Sequence, residues 1–124
     1  MKKKVETAYG VIGLGRFGEA LAMMLAQSGH EVIAVDKDEK KVKEMRQYTD
    51  CAFVADNLSS DTLKEIGIQN CDVVIICIGE KVDVSVLTTM SVIEMGVPRV
   101  IAKALSPEQG AVLSRSLIHI SEPT

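Results

Sequence analysis

Apolar runs of strand length, Tyr9 to Ile12, Val32 to Val35, Ala52 to Val54, Val73 to Ile78 and Arg99 to Ala102, recur along the chain at intervals of roughly 20 to 25 residues. The stretches between them carry helical spacing, which is the βαβ alternation of a parallel sheet. Near-continuous apolar runs such as VVIICI indicate strands covered on both faces by crossover helices. The expected fold is therefore α/β, a doubly wound parallel sheet of five to six strands in the order 3-2-1-4-5, with the sixth beyond the fifth.

Phe17, Ala20, Leu21, Met24 and Leu25 repeat at three- and four-residue steps, predicting a helix over Arg16 to Gln27 with these side chains as its buried stripe and Ser28-Gly29 as its end. A second helix is expected from Asp38, its N-cap, to Tyr48, with Val42 and Met45 inward among solvated charges. Ser59 or Ser60 opens a third, ending near Gly67. Asp83 to Met95 gives a fourth, on which Val84, Leu87, Met90 and Ser91 share a face before Gly96 and Pro98 break it. A last helix is expected from Pro107 to about Ser116, and Leu117 to Ile120 can form an edge strand. The pattern reads as one domain over residues 1–116, followed by an atypical tail, 117–124.

Composition narrows the function. In 124 residues, 47% hydrophobic and 25% charged, there is room for one soluble domain and no second large one. Fourteen basic residues stand against 17 acidic ones, and Lys2, Lys3 and Lys4 account for three of the basic ones, so a general nucleic-acid binder is disfavoured. No apolar run comes near the ~20 residues of a membrane-spanning helix. The N-terminal lysines precede no apolar h-region, which argues against a secretory signal. The chain reads as cytoplasmic. Cys51, Cys71 and Cys77 show no metal-ligand spacing and read as reduced thiols. Cys51 and Cys77 open or sit inside apolar runs, where a thiol packs as a small hydrophobe, and Cys71, at a strand entrance, is expected to be the more exposed.

The sharpest motif is Gly13-Leu14-Gly15-Arg16-Phe17-Gly18, a GxGxxG between the first strand and the first helix. Gly13 suits the tight turn, Gly15 lets backbone approach a pyrophosphate, and Gly18 lets the helix pack closely on the sheet, as in a Rossmann-like domain. The helix N-terminus adds free N–H groups and partial positive charge. Asp36 ends the second strand eighteen residues after Gly18, where an acidic residue accepts hydrogen bonds from ribose hydroxyls and repels a 2′-phosphate. The expected ligand carries adenosine, as in ATP, ADP, NAD or NADH. Lys37 either blunts the exclusion of NADP or is merely solvated. Arg16 can pair with phosphate through its guanidinium. Asp56 and Asn57 follow the third strand and are either adenine-edge contacts or ordinary turn residues. Ile78, Gly79 and Glu80 end the fourth strand at the same edge, where Gly79 can approach a nucleotide by backbone.

Catalytic machinery is not evident. There is no YxxxK or HExxH, His30 lies after the first helix at the edge away from the crevice, and about twenty residues remain after the fifth strand. A complete dehydrogenase would need more chain to hold a substrate, so the chain reads as a binding module and not as an enzyme. The alternative is the cofactor domain of an NAD-dependent dehydrogenase without its substrate half.

From about Thr7 to Arg115 the chain resembles the N-terminal nucleotide-binding RCK (TrkA-N) domain of Ktr- and Trk-type potassium uptake systems. The resemblance rests on VIGLGRFG, EVIAVDKDEKKV, VADNLSSDTLKEIGI and CDVVIICIGEKVDVSVLTTMSVIEMGVPRVIAKAL. It implies a cytosolic regulatory subunit, not a catalyst, that binds ATP, ADP, NAD or NADH and gates a potassium channel or transporter. By the same resemblance, Arg16 contacts phosphate, Asp36 holds ribose, Asp56 and Asn57 lie by adenine, and Lys103 points at phosphate or a neighbouring subunit unless it is simply solvated. The assembly implied is a homo-oligomer, a dimer or an octameric ring, held at the inner face of the plasma membrane through the transporter subunit. The helix bearing Met90 and Met95 and the final helix are its candidate dimer surfaces. The sequence departs from the family at Leu117 to Thr124, LIHISEPT, where a Gly-Ala segment and a Pro-Glu are expected. That octet reads as a truncated or non-native end.

Overall fold

A computed structural model describes residues 7–78, 82–103 and 117–121. The strands are β1 (Ala8–Ile12), β2 (Glu31–Asp36), β3 (Cys51–Val54), β4 (Val73–Ile76), β5 (Arg99–Lys103) and β6 (Leu117–Ser121). They form one sheet in the order β3-β2-β1-β4-β5-β6. The first five pair in parallel, as expected, and β6 adds an antiparallel edge one residue longer than the run Leu117 to Ile120. The helices are α1 (Arg16–Gln27), α2 (Glu39–Met45), α3 (Ser60–Ile66) and α4 (Val82–Glu94). The helix expected from Pro107 to Ser116 lies outside the described residues.

Alternation along the central strands builds two cores. Val11 and Ile75 point to the side of α1 and α2, where they meet Ala22, Val42 and Met45. Ile12, Val74 and Ile76 point to the other side, against Leu63 of α3 and Val92 of α4. Each fully buried aliphatic side chain contributes about 1.5–3 kcal/mol, so the middle of the sheet is the rigid part and the strand ends carry the variable loops.

The short helices have their expected caps. The Asp38 carboxylate accepts from Lys40 N–H at 2.9 Å, and Ser59 Oγ accepts from Thr62 N–H at 3.3 Å. Gly67 ends α3 at φ +101°, a conformation glycine adopts without strain. The second helix stops at Met45, short of Tyr48, because the chain is already turning into β3. Arg46 donates to the Ala52 carbonyl at 3.2 and 3.3 Å, and the Thr49 hydroxyl donates to the Val32 carbonyl at 2.7 Å.

Two expectations about burial are corrected, on α1 and at the cysteines. On α1 the side facing the sheet carries Gly18, Leu21, Ala22 and Leu25, while Ala20 is exposed and Phe17 and Met24 are 38% and 57% exposed. On α4, Ser85, Thr88, Thr89 and Val92 are buried, and Val86, Leu87 and Met90 face solvent. Small side chains win because they let each helix approach the sheet closely, and Thr89 satisfies its hydroxyl on the Ser85 carbonyl at 2.7 Å. Met95 packs on the second core. The cysteines exchange places: Cys51 is exposed and Cys71 buried, because the 3-10 turn Ile68–Asn70 brings Ile68 and Cys71 together under the sheet.

Candidate functional site

β1 runs into α1 through a turn in which Gly13 and Gly18 are dictated by packing. Gly13 has φ +103°, and a Cβ there would lie 2.8 Å from the Cys77 carbonyl carbon and oxygen. A Cβ on Gly18 would fall on the Gly13 carbonyl oxygen. This close approach also explains why β4 stops at Ile76 and not at Ile78. Cys77 N–H still donates to the Ile12 carbonyl at 2.7 Å, but the next rung is taken by the turn.

Gly15 differs from both. It is the N-cap of α1 with no side-chain cap, its φ of −71° suits any residue, and a Cβ there would meet nothing within 4 Å. Its freedom from internal contact faces the cleft. The first-turn N–H groups beyond it have no intrahelical acceptors, and the helix dipole makes this end positive. Two N–H groups of the turn are already spent: Gly13 donates to the Val35 carbonyl at 2.8 Å, and Leu14 donates to Asp36 Oδ2 at 2.6 Å.

Asp36, half-buried at the end of β2, accepts on its other oxygen from Asp38 N–H at 2.8 Å. Lys37 beside it is exposed. Asp56 and Asn57 are also exposed at the end of β3, but Asn57 has a structural task. Its Oδ1 accepts from Ser59 N–H at 3.1 Å and from the Thr62 hydroxyl at 3.0 Å, holding the start of α3. The side-chain amide N–H groups of Asn57 are what remain for a ligand.

These residues surround one cleft of about 850 Å³ at the carboxyl ends of β1, β2, β3 and β4. Gly13, Leu14, Gly15, Arg16, Phe17 and Gly18 line it, with Asp36, Lys37, Asp56, Asn57, Ile78 and Lys103. Gly79 and Glu80 lie outside the described residues. Ile12, Val35, Ala55, Leu58, Cys77 and Val84 also line it and were not anticipated. They are the apolar walls, contributed by separate strands and loops, and only the alternation of the strand ends hinted at them. The Lys103 ammonium sits 5.7 Å from the centroid of the Phe17 ring, a cation–π contact that places positive charge beside the glycine turn.

Burial pushes the Cys77 thiol up to about 12 despite the opposing pull of Lys103, and burial, reinforced by Asp72, does the same to Cys71. Neither is a nucleophile near neutral pH. His30 packs edge-on against Tyr9, with centroids 5.0 Å apart, at the opposite end of the strands. Among the described residues no cluster suits a metal ion, and no helix is long and apolar enough to cross a membrane. The cleft thus brings together the N–H groups of a helix N-terminus, the cations Arg16, Lys37 and Lys103, the carboxylates Asp36 and Asp56, and apolar walls.

A family profile for the TrkA-N domain matches residues 9–121. Ktr system potassium uptake protein C of Bacillus subtilis (strain 168) is 40% identical over 124 residues, covering 99% of this chain and 54% of its own length. Ktr system potassium uptake protein A of Vibrio alginolyticus is 39% identical, over 91% of this chain and 51% of its own length. The chain therefore spans about half the length of these relatives. Among solved structures, the NAD(P)-binding domain of an exopolyphosphatase-related protein from Archaeoglobus fulgidus superposes with a TM-score of 0.66 at 23% identity, covering 82% of this chain and 75% of that one. That likeness concerns the fold alone.

Proposed function

Because the chain belongs to the TrkA-N domain family, we propose that it is the nucleotide-binding regulatory part of a potassium uptake system, gating a membrane channel or transporter from the cytoplasmic side without catalysing a reaction. The observation that carries the reading is the cleft itself, in which an N-terminal helix turn with an unobstructed glycine faces a strand-end aspartate. ATP, ADP, NAD and NADH share the adenosine that this arrangement would hold.

In the proposed complex, the α1 N-terminus and Arg16 take phosphate, with Lys103 close enough to shift from Phe17 onto a further phosphate. Asp36 accepts from the ribose hydroxyls. Asp56 accepts from the adenine amine, the Asn57 amide donates to a ring nitrogen, and Ala55 and Leu58 cover the base. Such a ligand does work on a membrane partner only through its different affinity for two shapes of the assembly, typically about 1–3 kcal/mol. The exposed Val86, Leu87 and Met90 on α4 suit a second copy of the chain, since three large apolar side chains on one helix gain by leaving water.

Calorimetric titration with ATP, ADP, NAD and NADH, with light scattering on the same samples, tests the proposal. Binding of at least one of these by a self-associated protein supports it. No binding, or hydride transfer from NADH by this chain, would overturn it in favour of an inert domain or a dehydrogenase cofactor domain respectively.

A further inference from the structure

The turn after β1 is held from outside by the same carboxylate that is positioned to read ribose. Asp36 Oδ2 accepts from Leu14 N–H at 2.6 Å, and Oδ1 accepts from Asp38 N–H at 2.8 Å. We propose that Asp36 is a positioning residue for the phosphate-binding turn, so that the ribose and phosphate halves of the site are coupled through one side chain. The inference rests on the nucleotide reading above and deepens it.

Other contacts fix the inner side of the turn and leave its outer side to this bond. Gly13 N–H is bonded to the Val35 carbonyl at 2.8 Å, and the Leu14 side chain is fully buried, so the inner side of the turn is secured by β2 and by the core. Gly15 has no contact that a side chain would feel, so the outer side must be set by the peptide planes that precede it. The Leu14 N–H belongs to the Gly13–Leu14 peptide, and its short bond to a charged acceptor fixes that plane before any ligand arrives. The direction of the next N–H groups, those of Gly15 and Arg16, follows from it.

An ionised carboxylate offers about four lone-pair sites on its two oxygens. Backbone N–H groups use one on each, which leaves one on each for the 2′- and 3′-hydroxyls. The two tasks therefore coexist without exchange of partners, and a bound ribose does not release the turn. If Asp36 only read ribose, its loss would not matter to a ligand lacking those hydroxyls. If it also holds the turn, such ligands lose affinity as well.

The test compares wild type, Asp36→Ala and Asp36→Asn by titration with ATP, 2′,3′-dideoxy-ATP and inorganic tripolyphosphate. Wild type is expected to bind all three, and Asp36→Ala to lose about tenfold or more for dideoxy-ATP and tripolyphosphate, with a larger loss for ATP. Asp36→Asn, which keeps one carbonyl acceptor, is expected to fall between. Full-strength binding of dideoxy-ATP by Asp36→Ala would make Asp36 a ribose reader only. Amide hydrogen exchange without ligand gives a readout independent of the nucleotide reading. Leu14 N–H should be protected in wild type and exchange at least about tenfold faster in Asp36→Ala, while β4 amides keep their protection. Equal exchange in both proteins would overturn the inference, whereas failure of wild type to bind any nucleotide, with Leu14 protected, would count against the nucleotide reading alone.

Discussion

The turns after β1 and after β3 both open onto the cleft, yet they are built in opposite ways. Residues 13–18 use no polar side chain of their own for their shape: two glycines that packing demands, acceptors supplied by β2 in the Val35 carbonyl and the Asp36 carboxylate, and a helix N-terminus left uncapped by any side chain. Residues 55–58 take theirs from side chains, with Asn57 Oδ1 spent on Ser59 and Thr62 to start α3. The first turn spends the Gly13 and Leu14 N–H groups on β2 and leaves those of the helix N-terminus for a ligand, whereas the second has already committed part of its side-chain chemistry. Added bulk should therefore damage the first turn, and lost polar groups should damage the second mainly through stability.

Gly18→Ala should have the largest effect. The new methyl meets the Gly13 carbonyl oxygen, so α1 must move off the sheet, and urea unfolding should show a loss of about 3 kcal/mol. Asn57→Ala should cost about 1 kcal/mol by the same measurement, since two α3 donors lose their acceptor. Its affinity for ATP should fall less than about threefold; a much larger fall would show that the two turns share ligand recognition more evenly than this comparison holds.

The smallest effect concerns the two buried thiols, Cys77 against the first turn and Cys71 at the other end of β4. With Cys71 and Cys77 pushed up to about 12, only about one in ten thousand of either is thiolate at pH 8. Iodoacetamide should modify Cys51 alone in the folded protein and all three after unfolding. The sign for stability follows from the raised values: burial of the neutral thiols favours folding below pH 9, and that contribution is lost as pH climbs from 9 towards 12. The urea midpoint should fall over that range.

Much of this was legible in the chain. Strand runs, the GxGxxG spacing and the distance to Asp36 are local signals, and the sheet order follows from them. The buried face of α1 is not the one its spacing suggests, because the helix is apolar around most of its circumference. Hydropathy selects the large residues Phe17 and Met24, whereas close approach to the sheet selects Gly18 and Ala22. The roles of Asn57 and Asp36 within their own turns were equally hidden, since a polar side chain at a strand end looks the same whether it serves the backbone or a ligand. The apolar walls at Ala55, Leu58 and Val84 come from separate segments, which no local pattern joins.

The most direct test of the account is an ATP titration of Gly15→Ala beside wild type, with the unfolding midpoint of each. A methyl at Gly15 meets nothing in the protein and its backbone angles suit alanine, and the lower chain entropy of unfolded alanine offsets the preference for glycine at an N-cap, so the variant should stay within about 1 kcal/mol of wild type. Its affinity for ATP should fall about tenfold or more, because that methyl occupies the space left for phosphate. Undiminished binding by a stable Gly15→Ala protein would contradict the claim that this turn is kept open for a nucleotide.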